Sequence, residues 1–79
     1  MRFVLDLHGL THEQAIIKTE NELINISLVN NFDMEIITGK SELMKEKIIK
    51  EVLEPHNFLY YIPVNNPGVI RVTEDALFI

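Results

Sequence analysis

Apolar positions along this chain recur with two different spacings, and the switches between them mark its elements. From Phe3 to His8 the spacing is two. Phe3, Leu5 and Leu7 fall on one side of an extended run, and Asp6 and His8 share the other. Gly9 stops that run, and Thr11 then offers a helix N-cap that Gln14, three residues on, completes as a capping box. The spacing that follows is helical as far as about Val29. Ala15, Ile16, Thr19, Leu23 and Ile26 fall within one arc of about 100°, the expected core face, while Ile17, Ile24 and Leu28 form a narrower stripe nearly opposite.

After a turn-like connector at Asn30-Asn31-Phe32-Asp33, Met34-Glu35-Ile36-Ile37-Thr38 reads as a second strand, again ended by a glycine, Gly39. Ser41 caps a second helix over about 42–53. Its apolar side is Met44, Ile48, Ile49, Val52 and Leu53, with Lys45, Lys47 and Lys50 mostly on the wet side, and Pro55 stops it. Phe58-Leu59-Tyr60-Tyr61-Ile62 reads as a third strand whose end Pro63 places at an edge or bend. Asn65-Asn66-Pro67-Gly68 is a strong turn, and Val69-Ile70-Arg71-Val72 follows as the fourth strand. Ala76-Leu77-Phe78-Ile79 is an apolar tail, expected to extend that strand or to pack elsewhere.

The order is therefore β-α-β-α-β-β. Helical crossovers set the first two strands parallel to a neighbour, and the short Asn-Pro-Gly turn makes the last two an antiparallel hairpin. Two helices are too few to cover both faces of four strands. The expected fold class is α/β in the broad sense, an α+β two-layer sandwich with a four-stranded mixed sheet and two helices on one face. The Asp6/His8 side is then the open face or the carboxyl rim.

A chain of 79 residues makes one domain, 1–79, and buries only about 60–65% of its unfolded surface, so its stability is a few kcal/mol. The absence of cysteine removes any disulfide framework, thiolate metal site or thiol nucleophile, and sets a cytoplasmic location as the expectation. No run of the sequence has the length of a signal peptide core or a membrane span. A net charge of −5 works against long-range attraction to nucleic acid or an anionic membrane. Lys40, Lys45, Lys47 and Lys50, offset by Glu42 and Glu46, still leave a local patch of net +2.

Two stretches carry candidate chemistry. Asp6 and His8 can act as general acid/base partners, or as two ligands of one divalent cation, Mg²⁺ or Mn²⁺. The plainer alternative is that Asp6 accepts backbone N–H groups at the turn and His8 is an ordinary strand-end residue. Thr38-Gly39-Lys40-Ser41 suggests an anion cradle of backbone amides, two hydroxyls and an ammonium, though the first glycine of a Walker loop is missing; plain helix capping is the alternative. If the two glycine-ended strands are adjacent and parallel, an acid/base pair stands beside a phosphate seat, as phosphodiester cleavage requires. Arg71 is a further candidate phosphate contact or a solvated strand residue. His12 and His56 read as surface residues. The Ile17/Ile24/Leu28 stripe is either scattered exposed apolars or a small interface, through a weak homodimer or a protein partner.

Three segments together resemble one family. Leu5-Asp6-Leu7-His8-Gly9-Leu10-Thr11 is similar to the opening signature of the Smr (small MutS-related) domain. Ile36-Ile37-Thr38-Gly39-Lys40 is similar to its second motif, and Asn66-Pro67-Gly68-Val69-Ile70-Arg71-Val72 to its closing turn and strand. The resemblance implies a sandwich like the C-terminal domain of translation initiation factor three, in a stand-alone member. It also implies nucleic-acid binding and, in many members, DNA-nicking or RNA-cleaving endonuclease activity. By position, Asp6 and His8 match the residues tied to cleavage, and Gly39 and Lys40 those tied to substrate contact. Ser41 stands where the family usually has glycine, and narrows the approach of a phosphate backbone.

The expected function is thus a small Smr-like endonuclease. Asp6 and His8 are its catalytic residues, and Gly9, Thr38, Gly39, Lys40, Ser41, Lys45 and Arg71 its substrate-binding ones, with the Lys45/Lys47/Lys50 helix steering the strand. A nucleic-acid-binding module without cleavage and a protein-interaction module are the alternatives.

Overall fold

In the computed structural model, which describes residues 2–29 and 31–73, strand β1 (Arg2–Asp6) follows its alternation. Phe3 and Leu5 turn inward, while Val4 and Asp6 stay exposed. Strands β2 (Asp33–Ile37), β3 (Leu59–Tyr61) and β4 (Val69–Thr73) complete a four-stranded mixed sheet in the order β1-β2-β4-β3. β1 and β2 are parallel, with Asp6 opposite Ile37. β4 runs antiparallel to both β2 and β3. The crossover after β2 therefore reaches a strand parallel to β2, but the hairpin's return strand lies between them. Burial explains that choice: Ile70 and Val72 of β4 are fully buried, as a strand with two neighbours requires, whereas β3 is short and precedes Pro63, as suits an edge.

Helix α1 (His12–Ile26) opens with the expected capping box: Thr11 accepts from the Gln14 amide, and the Gln14 side chain accepts from the Thr11 amide, both at 3.1 Å. It closes earlier than the apolar spacing suggested. The Ser27 hydroxyl donates to the Ile24 carbonyl at 2.8 Å, a local bond that competes with helix continuation. Helix α2 (Glu42–Ile48) passes directly into a π-helical turn (Ile49–Leu53), where the Glu54 amide reaches back five residues to Ile49. The second helical run is thus two geometries rather than one.

Both helices cover one face of the sheet, where Leu5, Leu7, Leu23, Ile36, Ile48 and Ile70 belong to a single core cluster. Phe32, expected in a connector, is buried instead and meets the Phe58 ring edge-to-face, 6.2 Å between centroids. That contact shortens the third strand: the Phe58 amide donates to Leu53 rather than to the ladder. The residues of α1 expected in the core are there, and Ile17, Ile24 and Leu28 point outward at 53%, 49% and 85% exposure. The Ala76–Ile79 tail lies outside the described residues. No helix among the described residues is long and apolar enough to cross a membrane.

Candidate nucleic-acid site at the strand-end rim

Each of the three motif segments joins a strand to a turn, and sheet order brings the turns to one rim. At β1 the Asp6 carboxylate accepts the His8 amide at 2.9 Å, and the Leu10 amide donates to Leu7 at 3.1 Å. Gly9, at φ +84°, occupies the corner where such a turn needs a positive φ. Leu7 continues the ladder by donating to Ile37 at 3.0 Å, so the His8-Gly9 turn stands beside the start of the next one. His8 is exposed, and its imidazole has no hydrogen-bond partner among the described residues.

The second turn is locked to the third by one carbonyl. Gly68 O accepts from the Thr38 amide at 2.9 Å, the Thr38 hydroxyl at 3.2 Å and the Gly39 amide at 3.1 Å. The approach is close enough that a Cβ on Gly68 would lie 3.1 Å from the Gly39 carbonyl oxygen. Gly39 itself turns at φ +69°. Between these loops and α2 lies a cleft of about 210 Å³ lined by Gly39, Lys40, Glu42, Lys45, Pro67 and Gly68.

This geometry corrects the expected anion cradle. The Thr38 hydroxyl and the Gly39 amide donate to Gly68 inside the fold, and the Ser41 Oγ caps α2 by accepting from Met44 at 3.0 Å, so of the two hydroxyls only Ser41 keeps a proton to offer an anion. Lys40 remains, exposed and without an ion pair among the described residues.

The other cations expected at the substrate are engaged. Lys45 is not on the wet side of its helix: only 9% of its side chain is exposed, and its ammonium lies 2.9 Å from Glu42. Lys47 faces Glu51 at 3.9 Å, and Lys50 faces Glu46 at 3.7 Å. Residues 40–54 contain four lysines and four glutamates, so the local positive patch cancels once Glu51 and Glu54 are counted.

Arg71 is neither at the rim nor simply solvated. It lies inside the sheet's open face, opposite Glu35, and its guanidinium sits 2.6 Å from Asp33 and 3.7 Å from Glu35. Arg2 holds Glu35 from the other side at 2.7 Å. His56, read as a lone surface residue, pairs with Glu20 of α1 at 2.8 Å.

Among the described residues no group of three or more His, Asp or Glu side chains is placed to hold a metal ion. Asp6 and His8 offer one carboxylate, whose Oδ1 already accepts a backbone amide, and one imidazole. That donor set falls short of a protein-built divalent site. A cleft of about 250 Å³ between β1 and the C-terminal end of α1 is lined by Phe3, Leu5, Ile26, Val29 and Met34 among others and has no acid–imidazole pair. The rim is therefore the candidate site on chemistry, not on cavity size.

Sequence reasoning missed the part played by Pro67 and Gly68. Their segment reads as a turn signal, and the usable clue was only that two glycine-bearing turns occur on strands that become neighbours. Compared with protein-family models, with curated proteins and with solved structures, the chain has no match.

Proposed function

We propose that this chain is a small Smr-like endonuclease acting on nucleic acid, with the Asp6/His8 turn as its reactive centre. The observation that carries the reading is the parallel pairing of β1 with β2, which sets the exposed His8 imidazole next to the turn bearing Lys40, both without a partner among the described residues. A pair of this kind suits a substrate that contains its own nucleophile. In RNA, the His8 imidazole takes the proton of a 2′-hydroxyl as that oxygen attacks the adjacent phosphorus. The phosphorus–5′-oxygen bond breaks, the leaving oxygen takes a proton from water, and the phosphate remains as a 2′,3′-cyclic ester. Lys40 balances the charge that grows on the phosphate oxygens. Asp6 acts through the backbone, fixing the turn that presents His8.

The test is cleavage of labelled single-stranded RNA, duplex RNA and branched or plasmid DNA, with and without EDTA. The substitutions are His8→Ala and Asp6→Asn, the latter keeping the acceptor for the His8 amide. RNA cleavage that survives EDTA and falls at least about 100-fold in His8→Ala is the expected result. Undiminished cleavage by the folded His8→Ala protein would remove the assignment.

A second reading, binding without cleavage, is favoured by the Asp6 carboxylate serving the turn and by the paired state of Lys45, Lys47 and Lys50. It predicts no cleavage but a salt-sensitive gel shift that Lys40→Ala weakens.

A further inference from the structure

The outer face of α1 carries an apolar feature that neither the core nor the rim uses. Ile17, Ile24 and Leu28 are 53%, 49% and 85% exposed. With Asn21 between them, Ile17 and Ile24 follow one another at intervals of four and three, which makes one straight seam on α1, and Leu28 lies just past the helix end in the turn after Ser27. The buried residues Ala15, Thr19, Leu23 and Ile26 lie on the opposite side, so the seam faces away from the domain body. Its two flanks differ in charge: Glu13 and Glu20 line one, and Gln14, Lys18 and Asn25 the other. Glu20 is held by His56, whereas Glu13 and Lys18 have no ion pair among the described residues.

We propose that this seam joins two copies of the chain in a symmetric dimer, with the two α1 helices side by side and pointing the same way. In that arrangement the Glu13 flank of each copy meets the Lys18 flank of the other, twice by symmetry. The antiparallel arrangement instead sets Glu13 and Glu20 against the same two residues of the second copy, like charge against like. Asn21, in the middle of the seam, meets its own counterpart across the axis, where two amides can exchange hydrogen bonds. Three apolar side chains per copy bury less than the ~1,200 Å² of a standard interface, so the dimer is weak, with a Kd on the order of 100 µM.

The direction of pairing has a consequence for the rim. α1 begins directly after the His8-Gly9 turn, so parallel helices carry both rims at the same end of the dimer. On the proposed function, on which this consequence alone rests, two Lys40 side chains then act on one strand. The raised effective concentration supplies affinity that a single acidic copy lacks.

Sedimentation equilibrium of the full chain from about 10 µM to about 1 mM brackets that Kd. It is expected to show a monomer–dimer equilibrium that Ile24→Glu abolishes. Glu13→Lys and Lys18→Glu each weaken it about five-fold, and the two together restore it. Ile17→Cys, placed in a chain with no cysteine of its own, cross-links to itself under mild oxidation, because in-register parallel pairing of α1 brings position 17 against its counterpart. Far-UV circular dichroism verifies that each variant is folded. A monomer throughout, a trimer or larger assembly, a double swap that fails to restore pairing, or a dimer that Ile17→Cys cannot cross-link would each overturn the proposal. None of these readouts uses nucleic acid, so they stand or fall apart from cleavage.

Discussion

Replacing Arg71 with methionine tests whether this cation serves the sheet or a ligand. Arg71 sits on β4, between its two neighbouring strands, with 17% of its side chain exposed. Its guanidinium lies 2.6 Å from Asp33 and 3.7 Å from Glu35, two carboxylates on one face of β2. Methionine keeps the length and apolar stem but leaves Glu35 with Arg2, and Asp33 with no cation among the described residues. The charge-assisted bond to Asp33 contributes about 1.5–3 kcal/mol. Breaking a fully buried pair would cost more, but a third of the Asp33 side chain is exposed, so water recovers part of its solvation. The expected loss is about 2 kcal/mol, which in a domain of this size lowers Tm by about 8–16 °C.

Urea unfolding followed by circular dichroism measures the loss, and Asp33→Asn closes a double-mutant cycle with a coupling of about 1 kcal/mol. Arg71→Lys recovers only part, since an ammonium cannot bridge both carboxylates as a guanidinium does. Arg71→Met within about 0.5 kcal/mol of wild type would refute the reasoning, and would return Arg71 to the role of a free cation available to phosphate.

Two further predictions concern the loops and the β3 edge. Gly68→Ala pushes a methyl toward the Gly39 carbonyl and stretches the three bonds to the Gly68 oxygen, so a loss of about 1–2 kcal/mol is expected in thermal melts; an unchanged Tm would show that the turns are not clamped. Burial, and then the charge and hydrogen bond of Glu54, hold the Tyr60 phenol above its ordinary pKa. The native state therefore keeps that proton longer than the unfolded chain: its stability contribution is complete below about pH 10 and is lost as pH rises through the raised value. Urea melts across that range should show a smaller alkaline loss for Tyr60→Phe than for wild type.

The elements were legible wherever local rules decide. Thr11 with Gln14 and Ser41 with Met44 close caps inside a single turn of chain, and Gly9 and Gly39 both adopt the positive φ at which their strands stop. The misreadings fall where a distant partner competes. Phe58 left its strand because its ring met Phe32 and its amide met Leu53. Lys45 looked solvated on a helical wheel, yet it lines a cleft that Gly39 and Pro67 share, and its ammonium pairs with Glu42.

The candidate site divides the same way. That Asp6 and His8 are exposed while Leu5 and Leu7 are buried matches the two-residue spacing read from the sequence, although His8 itself lies in the turn beyond β1. That the His8 turn neighbours Lys40 depends on β1 and β2 pairing in parallel, a contact between residues about thirty positions apart. The fate of the Thr38 hydroxyl, the Gly39 amide and Arg71 depended on partners from other strands: Gly68 for the first two, Asp33 and Glu35 for the third. Period and capping fix where the chain turns because those interactions act within a few residues. Which polar groups stay free for a ligand is decided only when the strands pair, since a hydrogen bond to the fold and one to a ligand compete for the same atom.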